Sequence, residues 1–270
     1  MRLGGFGRIA DYDNIRQAGF DYAELDVPEI EALTENEFRI FCDKVHEIGF
    51  PVLTGARALP IAKPWFFTDS FNALEYKAYL EHACHRAKLL GMDRIIIGNG
   101  KARLLIDETS IKKENRFIDF MRMFAEIAGN YDVEVILEPL GPMYSNYINS
   151  LPEAVRIIRA VDMPNLFTMA DLRHLVWAKE PLTDIVSYSD YVHHIHMDYP
   201  ISYPERPFPK VEDDFDYTEF LNAINDSGYQ GALTIEADIP KDWKHAYRDT
   251  SGVFRNFCDC QCYIGKGGES

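Results

Sequence analysis

Residues 191–200 read YVHHIHMDYP, with three of the chain's eight histidines inside four positions of an apolar segment. A strand turns successive side chains to opposite faces, so His194 and His196 share one face and His193 and Ile195 the other. Three further apolar segments end on carboxylates: VEVILEP (133–139) on Glu138, LFTMADL (166–172) on Asp171 and ALTIEAD (232–238) on Glu236. If all four are parallel strands, Glu138, Asp171, His196 and Glu236 converge at one end and offer three carboxylates and one imidazole. An oxygen-rich set with a single nitrogen suits Mn²⁺, Mg²⁺ or Co²⁺ better than a thiolate-type zinc site does. Histidines on a strand are more often satisfied polar residues near a sheet end, and a single acidic strand end arises by chance. The weight rests on the four together.

The elements that must position these groups repeat along the whole chain. Candidate strands are 2–7, 22–27, 51–56, 94–100, 133–139, 166–172, 191–198 and 232–238. Between them lie helical patterns such as TENEFRIFCDKVHEIG, SFNALEYKAYLEHACHRAKLLG, ENRFIDFMRMFAEIAGN and TEFLNAINDSG, with apolar residues at three- and four-residue spacing and several ending at Gly. Strands alternating with helices imply parallel pairing, and eight such units imply an α/β chain folded as a (β/α)8 barrel with reactive groups at the carboxyl ends of its strands. No linker-like or low-complexity tract interrupts the pattern, so residues 1–270 read as a single domain. A doubly wound open sheet is the weaker alternative, because no GxGxxG follows the first strand. The GNG at 98–100 alone is a weak phosphate signal.

The bulk numbers agree. A chain of 270 residues with 47% hydrophobic and 13% aromatic residues is long enough for one large core. Forty-three acidic against 28 basic residues give a formal charge of −15, which repels phosphate backbones and argues against nucleic acid as a partner. Neither a signal-peptide run nor a stretch of membrane-spanning length occurs, so a cytoplasmic protein with no membrane partner is expected. The five cysteines (Cys42, Cys84, Cys258, Cys260, Cys262) read as free thiols. The alternating Cys258, Cys260 and Cys262 would share a face of a strand, but with no partner CxxC a soft-metal site there has little support.

Five stretches carry a family resemblance: ILEPLG (136–141), MADLRH (169–174), HIHMDY (194–199), RPFPKVEDDF (206–215) and GYQGALTIEAD (228–238). In this order, over essentially the whole chain, the sequence resembles the xylose-isomerase-like TIM barrels of the sugar (phosphate) isomerase/epimerase group, including the D-tagatose and D-psicose 3-epimerases. The resemblance implies metal ligands at Glu138, Asp171, His196 and Glu236, substrate contacts from His174 and Arg206, and one divalent ion, Mn²⁺ before Mg²⁺, Co²⁺ or Zn²⁺. His194 would lie one layer deeper as a buried partner, and His193 would face the surrounding helices. The chemistry suits the residue types: moving a proton beside a carbonyl needs an electrophile on oxygen and acid/base groups on carbon, and Glu138 and Glu236 can serve as the latter from opposite faces. A small-molecule carbohydrate is the implied partner, with a homo-oligomer left open.

The sequence departs from the group where LEPLGPMY puts Gly141, Pro142 and Tyr144 in place of polar residues, and where Lys210 replaces a glycine. Substrate specificity is therefore open, and a lyase acting on a keto-inositol or 3-keto-glycoside begins with the same proton abstraction. A barrel that binds sugar or metal without turnover is the third reading; an AP endonuclease is rejected, since 51–56 and 94–100 lack the extra histidines. Arg57, Lys101, Arg103 and Arg173 are candidates for a phosphate clamp, although an unphosphorylated substrate is preferred. The run Trp65, Phe66, Phe67 is open to covering a sugar, meeting a neighbouring subunit or filling the core. Glu24 points inward with no assigned role.

Overall fold

The computed structural model describes residues 1–264, with side chains as far as Phe257. Eight strands, β1 (Arg2–Gly7), β2 (Tyr22–Asp26), β3 (Val52–Ala56), β4 (Arg94–Ile97), β5 (Glu134–Leu137), β6 (Leu166–Asp171), β7 (Val192–Met197) and β8 (Ala232–Ile235), pair in sequence order, all parallel. The last returns to the first, Arg2 opposite Ala232, and closes the barrel, so no strand edge is left open. All eight expected strands form. They stop two or three residues short of the expected carboxyl ends at β4, β5 and β8 because the chain there turns out into the mouth loops.

The helices are α1 (Tyr12–Ala18), α2 (Val27–Glu31), α3 (Glu35–Ile48), α4 (Lys77–Leu90), α5 (Glu114–Gly129), α6 (Leu151–Val161), α7 (Leu172–Ala178), α8 (Asp184–Ser187), α9 (Thr218–Asp226) and α10 (Trp243–Ile264). Local chemistry sets their ends. Thr34 and Glu37 form a capping box at the start of α3, and Gly49 ends it with φ 69°. Ser150 caps α6, with Pro152 in its first turn. The pattern expected over 70–91 becomes regular α-helix only from Lys77, after a 3₁₀ turn at 73–76 capped by Asn72. No helix among the described residues is long and apolar enough to cross a membrane.

The core lies between barrel and helices. Trp65, Phe66 and Phe67 belong to it: each is at most 5% exposed, and Phe66 meets Phe117 and Phe120 edge-on at 4.8 and 5.1 Å. The aromatic run is thus packing rather than a sugar platform. Cys42 and Cys84 are buried free thiols, and burial pushes Cys84 up to about 12. The side chains of Cys258, Cys260 and Cys262 lie outside the described residues.

Inside the barrel the side chains form layers. Ile96, Ile136 and Met169 pack together two residues before the mouth groups of their strands. One irregularity re-aims a side chain. Thr168 pairs with Val192 but Met169 with His194, so His193 is an extra residue in β7. Its ring stacks on Phe167 with centroids 3.4 Å apart, and its Nδ1 lies 3.1 Å from both Glu134 oxygens. His193 therefore meets neighbouring strands near their amino ends rather than the surrounding helices, because the bulge breaks the two-residue alternation.

Candidate active site at the barrel mouth

Four neighbouring strands, β5 to β8, deliver the candidate ligands. Glu138 follows β5, Asp171 ends β6, His196 lies one residue from the end of β7 and Glu236 follows β8. Asp171 and His196 pair directly in register. One ligand atom from each of the four residues lies within 4.8 Å of all the others. His196 Nδ1 is 3.3 Å from Glu236 Oε2, 3.8 Å from Asp171 Oδ2 and 4.0 Å from Glu138 Oε1. A glycine clears the space: a Cβ on Gly98 would lie 2.1 Å from Glu138 Oε2. The GNG turn thus accommodates a carboxylate.

Asp171 also caps α7, its Oδ1 accepting from the backbone N–H of Arg173 at 2.8 Å and of His174 at 3.3 Å. The cap turns His174 back into the mouth, where its Nε2 lies 3.5 Å from Glu138 Oε1 and 3.7 Å from Asp171 Oδ2. Arg206 reaches in from the loop after β7, 2.7 Å from Glu236, 3.3 Å from Asp171 and 2.8 Å from Asp198. All six residues predicted from sequence therefore border one cavity of about 500 Å³ or the carboxylates at its base. Tyr144 joins them, its ring 4.9 Å from that of His174 and 6.1 Å from that of Tyr203.

The electrostatics express crowded negative charge. Burial would push the Asp171 carboxyl up, but His174, His196 and Arg206 hold it well below the carboxylate range. Burial likewise opposes ionisation of Glu236, and Arg206 and His196 outweigh it. His196 goes the other way: burial favours the neutral ring, while Glu24 and Glu236 raise it well above the imidazole range. His174 is raised against burial by Asp171 and Glu138.

Of the basic residues considered for a phosphate clamp, three have structural partners. Arg57 pairs with Asp26 through two hydrogen bonds of 2.7 Å. Arg103, 1% exposed, donates to the Glu138 carbonyl at 2.7 Å. Arg173, fully buried, pairs with Asp198 at 2.7 Å and donates to the carbonyls of Tyr199, Ser202 and Glu205. Lys101 stays exposed beside the mouth. Sequence reasoning missed Asp198, the acceptor shared by Arg173 and Arg206. It is the next residue after HIHM, but two arginines meeting on it is a tertiary fact.

Comparison with known proteins agrees with this architecture. A family model described as xylose isomerase-like TIM barrel matches residues 12–257. A putative hydroxypyruvate isomerase of Xenopus laevis is 28% identical over 168 residues, 60% of each chain, so this chain spans about three-fifths of that relative. A probable ketose 3-epimerase of Synechocystis sp. is 27% identical over 84% of this chain and 77% of its own length. Among solved structures, an L-ribulose 3-epimerase superposes with a TM-score of 0.79 over 100% of this chain and 98% of its own at 15% identity. A 3-keto-D-glucoside 4-epimerase from E. coli does so with 0.76 over 95% and 99% at 19% identity. With the barrel closed in sequence order and the family model spanning nearly all of it, the chain belongs to the xylose isomerase-like TIM barrel family.

Proposed function

We propose that this protein is a divalent-metal-dependent sugar isomerase or epimerase that moves a proton on the carbon beside a substrate carbonyl. The observation that carries this reading is the convergence of Glu138, Asp171, His196 and Glu236 within 4.8 Å at the carboxyl ends of adjacent strands. These residues suit a divalent ion: three carboxylates face a single guanidinium, Arg206, and neither His196 Nδ1 nor Glu236 Oε2 has an aligned hydrogen-bond partner. The donor set favours Mn²⁺. When bound, such an ion polarises the substrate carbonyl and offsets the negative charge of the enediolate.

The chain's own groups do the rest. Glu138 and Glu236 enter from β5 and β8, so one takes the proton from the substrate carbon and the other returns it from the opposite side. Glu236, held ionised by Arg206 and His196, starts as a base. His174 and Arg206 hold substrate oxygens, and the Tyr144 ring walls the cavity beside them. The internal pairing of Arg57, Arg103 and Arg173 supports an unphosphorylated carbohydrate substrate.

The test is to incubate Mn²⁺-loaded protein with ketoses, aldoses and 3-keto sugars in deuterated water and follow the products by NMR. Deuterium beside a carbonyl, lost in both Glu138→Gln and Glu236→Gln, is the expected result. Turnover that persists in both variants overturns the assignment of the glutamates. Loss of water or of an aglycone in place of interconversion makes the enzyme a lyase using the same first step.

A further inference from the structure

We propose that Glu24, on β2, is a positioning residue that fixes His196 in the tautomer carrying its proton on Nε2, so that the Nδ1 lone pair faces Glu138, Asp171 and Glu236. The proposal rests on the reading of His196 as a metal ligand and adds to it a residue from across the barrel. Glu24 and His194 are fully buried and His196 is 1% exposed. His196 Nε2 lies 2.9 Å from Glu24 Oε1 and 3.2 Å from Oε2. His194 Nε2 lies 2.9 Å from Oε2, and the Thr234 hydroxyl donates to the same oxygen at 2.7 Å.

A carboxylate only accepts, so both imidazoles present Nε2–H to it, and a ring carrying a single proton then leaves its Nδ1 lone pair free. The Nδ1 atoms of His194 and His196 are indeed without hydrogen-bond partners among the described residues. Thr234 has one hydroxyl proton and gives it to Glu24, so Tyr22, 2.7 Å away, must donate to Thr234 in turn. Gly4 makes the chain of bonds fit, because a Cβ there would lie 2.2 Å from Tyr22 Cζ. The direction of every proton from Tyr22 to His196 is thereby set. Ligating histidines elsewhere are held in the same manner, through the nitrogen not facing the metal.

The test combines Mn²⁺ calorimetry with long-range ¹⁵N–¹H NMR of histidine-labelled, Zn²⁺-loaded protein, His196 being identified by the signal lost in His196→Asn. Wild type should show His196 protonated on Nε2 and bare on Nδ1. Glu24→Gln has the same shape and should keep the fold by circular dichroism, weaken Mn²⁺ binding roughly 10- to 100-fold and lower kcat more than it changes KM. Should that variant not fold, Thr234→Val, which removes one anchor of the carboxylate, should weaken Mn²⁺ binding about 5-fold. A His196 protonated on Nδ1, or Mn²⁺ affinity unchanged in the folded variant, overturns the proposal. So does an ion lost in Glu24→Gln but kept in Glu236→Gln, since it would then sit among Glu24, His194 and His196. If wild type binds neither ion, the ligand reading fails on its own. The His196 Nε2–H resonance of the metal-free protein then decides the orientation: downfield in wild type and shifted in Glu24→Gln supports it, and unchanged between the two refutes it.

Discussion

The two ends of the barrel use the same residue types to opposite effect. At the amino ends, Glu134 lies against His193, Arg94 pairs with Asp93 at 2.6 Å and donates to the His193 carbonyl, and Tyr229 donates to the Ala232 carbonyl at 2.8 Å. No side-chain atom of these groups is both buried and without a partner. At the carboxyl ends, His174 Nδ1, His196 Nδ1, Asp198 Oδ1 and Glu236 Oε2 are buried without an aligned partner. Buried polar atoms left unmatched cost stability, so four of them around one mouth mark a place where a ligand is wanted.

The largest expected effect breaks the mouth. Glu236→Gln keeps the side chain's size but removes a base and a charge, so turnover should fall beyond the ~10²- to 10⁴-fold of general acid–base loss, with Mn²⁺ affinity also reduced. His174→Ala and Arg206→Ala should instead lower turnover with Mn²⁺ still bound in calorimetry. A variant of either kind with wild-type turnover would remove the mouth from the argument.

Next comes the pair behind the mouth. Arg173→Ala strands Asp198 without one of its two guanidinium partners in a fully buried position, and urea unfolding should show a loss of ~3–5 kcal/mol. A loss under ~1 kcal/mol would mean that Arg206 alone satisfies Asp198.

A smaller effect depends on pH. Glu180 accepts a hydrogen bond from the Leu151 N–H at the start of α6, yet burial, with Asp184 and Glu153 nearby, pushes its carboxyl up to about 7. A raised folded value means that the protonated form stabilises the protein, fully below about pH 4.5 and progressively less as pH rises through 7. Chemical denaturation across that window should show a decline of about 1–2 kcal/mol, discounted for partial exposure. Glu180→Gln should flatten it.

The smallest effect belongs to the amino end. His193→Ala removes a partly exposed contact with Glu134 and a stacked ring, which should cost about 1 kcal/mol and leave turnover unchanged.

Much of this was legible in the sequence, for identifiable reasons. Strand order and the ends bearing Glu138, Asp171, His196 and Glu236 follow from hydrophobic periodicity, which survives tertiary context when both sheet faces are buried. The inward, buried place of His194 follows from the same period. The orientation of His193 does not, because a bulge costs one residue of register and announces itself in no composition. Arg103 and Arg173 look like surface cations in sequence, since nothing local reveals that carbonyls or Asp198 await them in the interior. Glu24 was legible as inward-facing but not as the partner of His196, because alternation gives the face of a strand and not what lies across the barrel.

The anchoring of the loop after β7 has a kinetic consequence. Arg173 holds the carbonyls of Tyr199, Ser202 and Glu205 from a fully buried position. Lifting this segment would strip a charged group of three acceptors, at about 1.5–3 kcal/mol for each, so a raised form would be populated in fewer than about one molecule in a hundred. Arg206 therefore waits in place before substrate arrives. Hydrogen exchange at the Tyr199 and Arg206 amides, which donate to the Pro207 carbonyl and the Asp238 carboxylate, should be slow for a mouth loop.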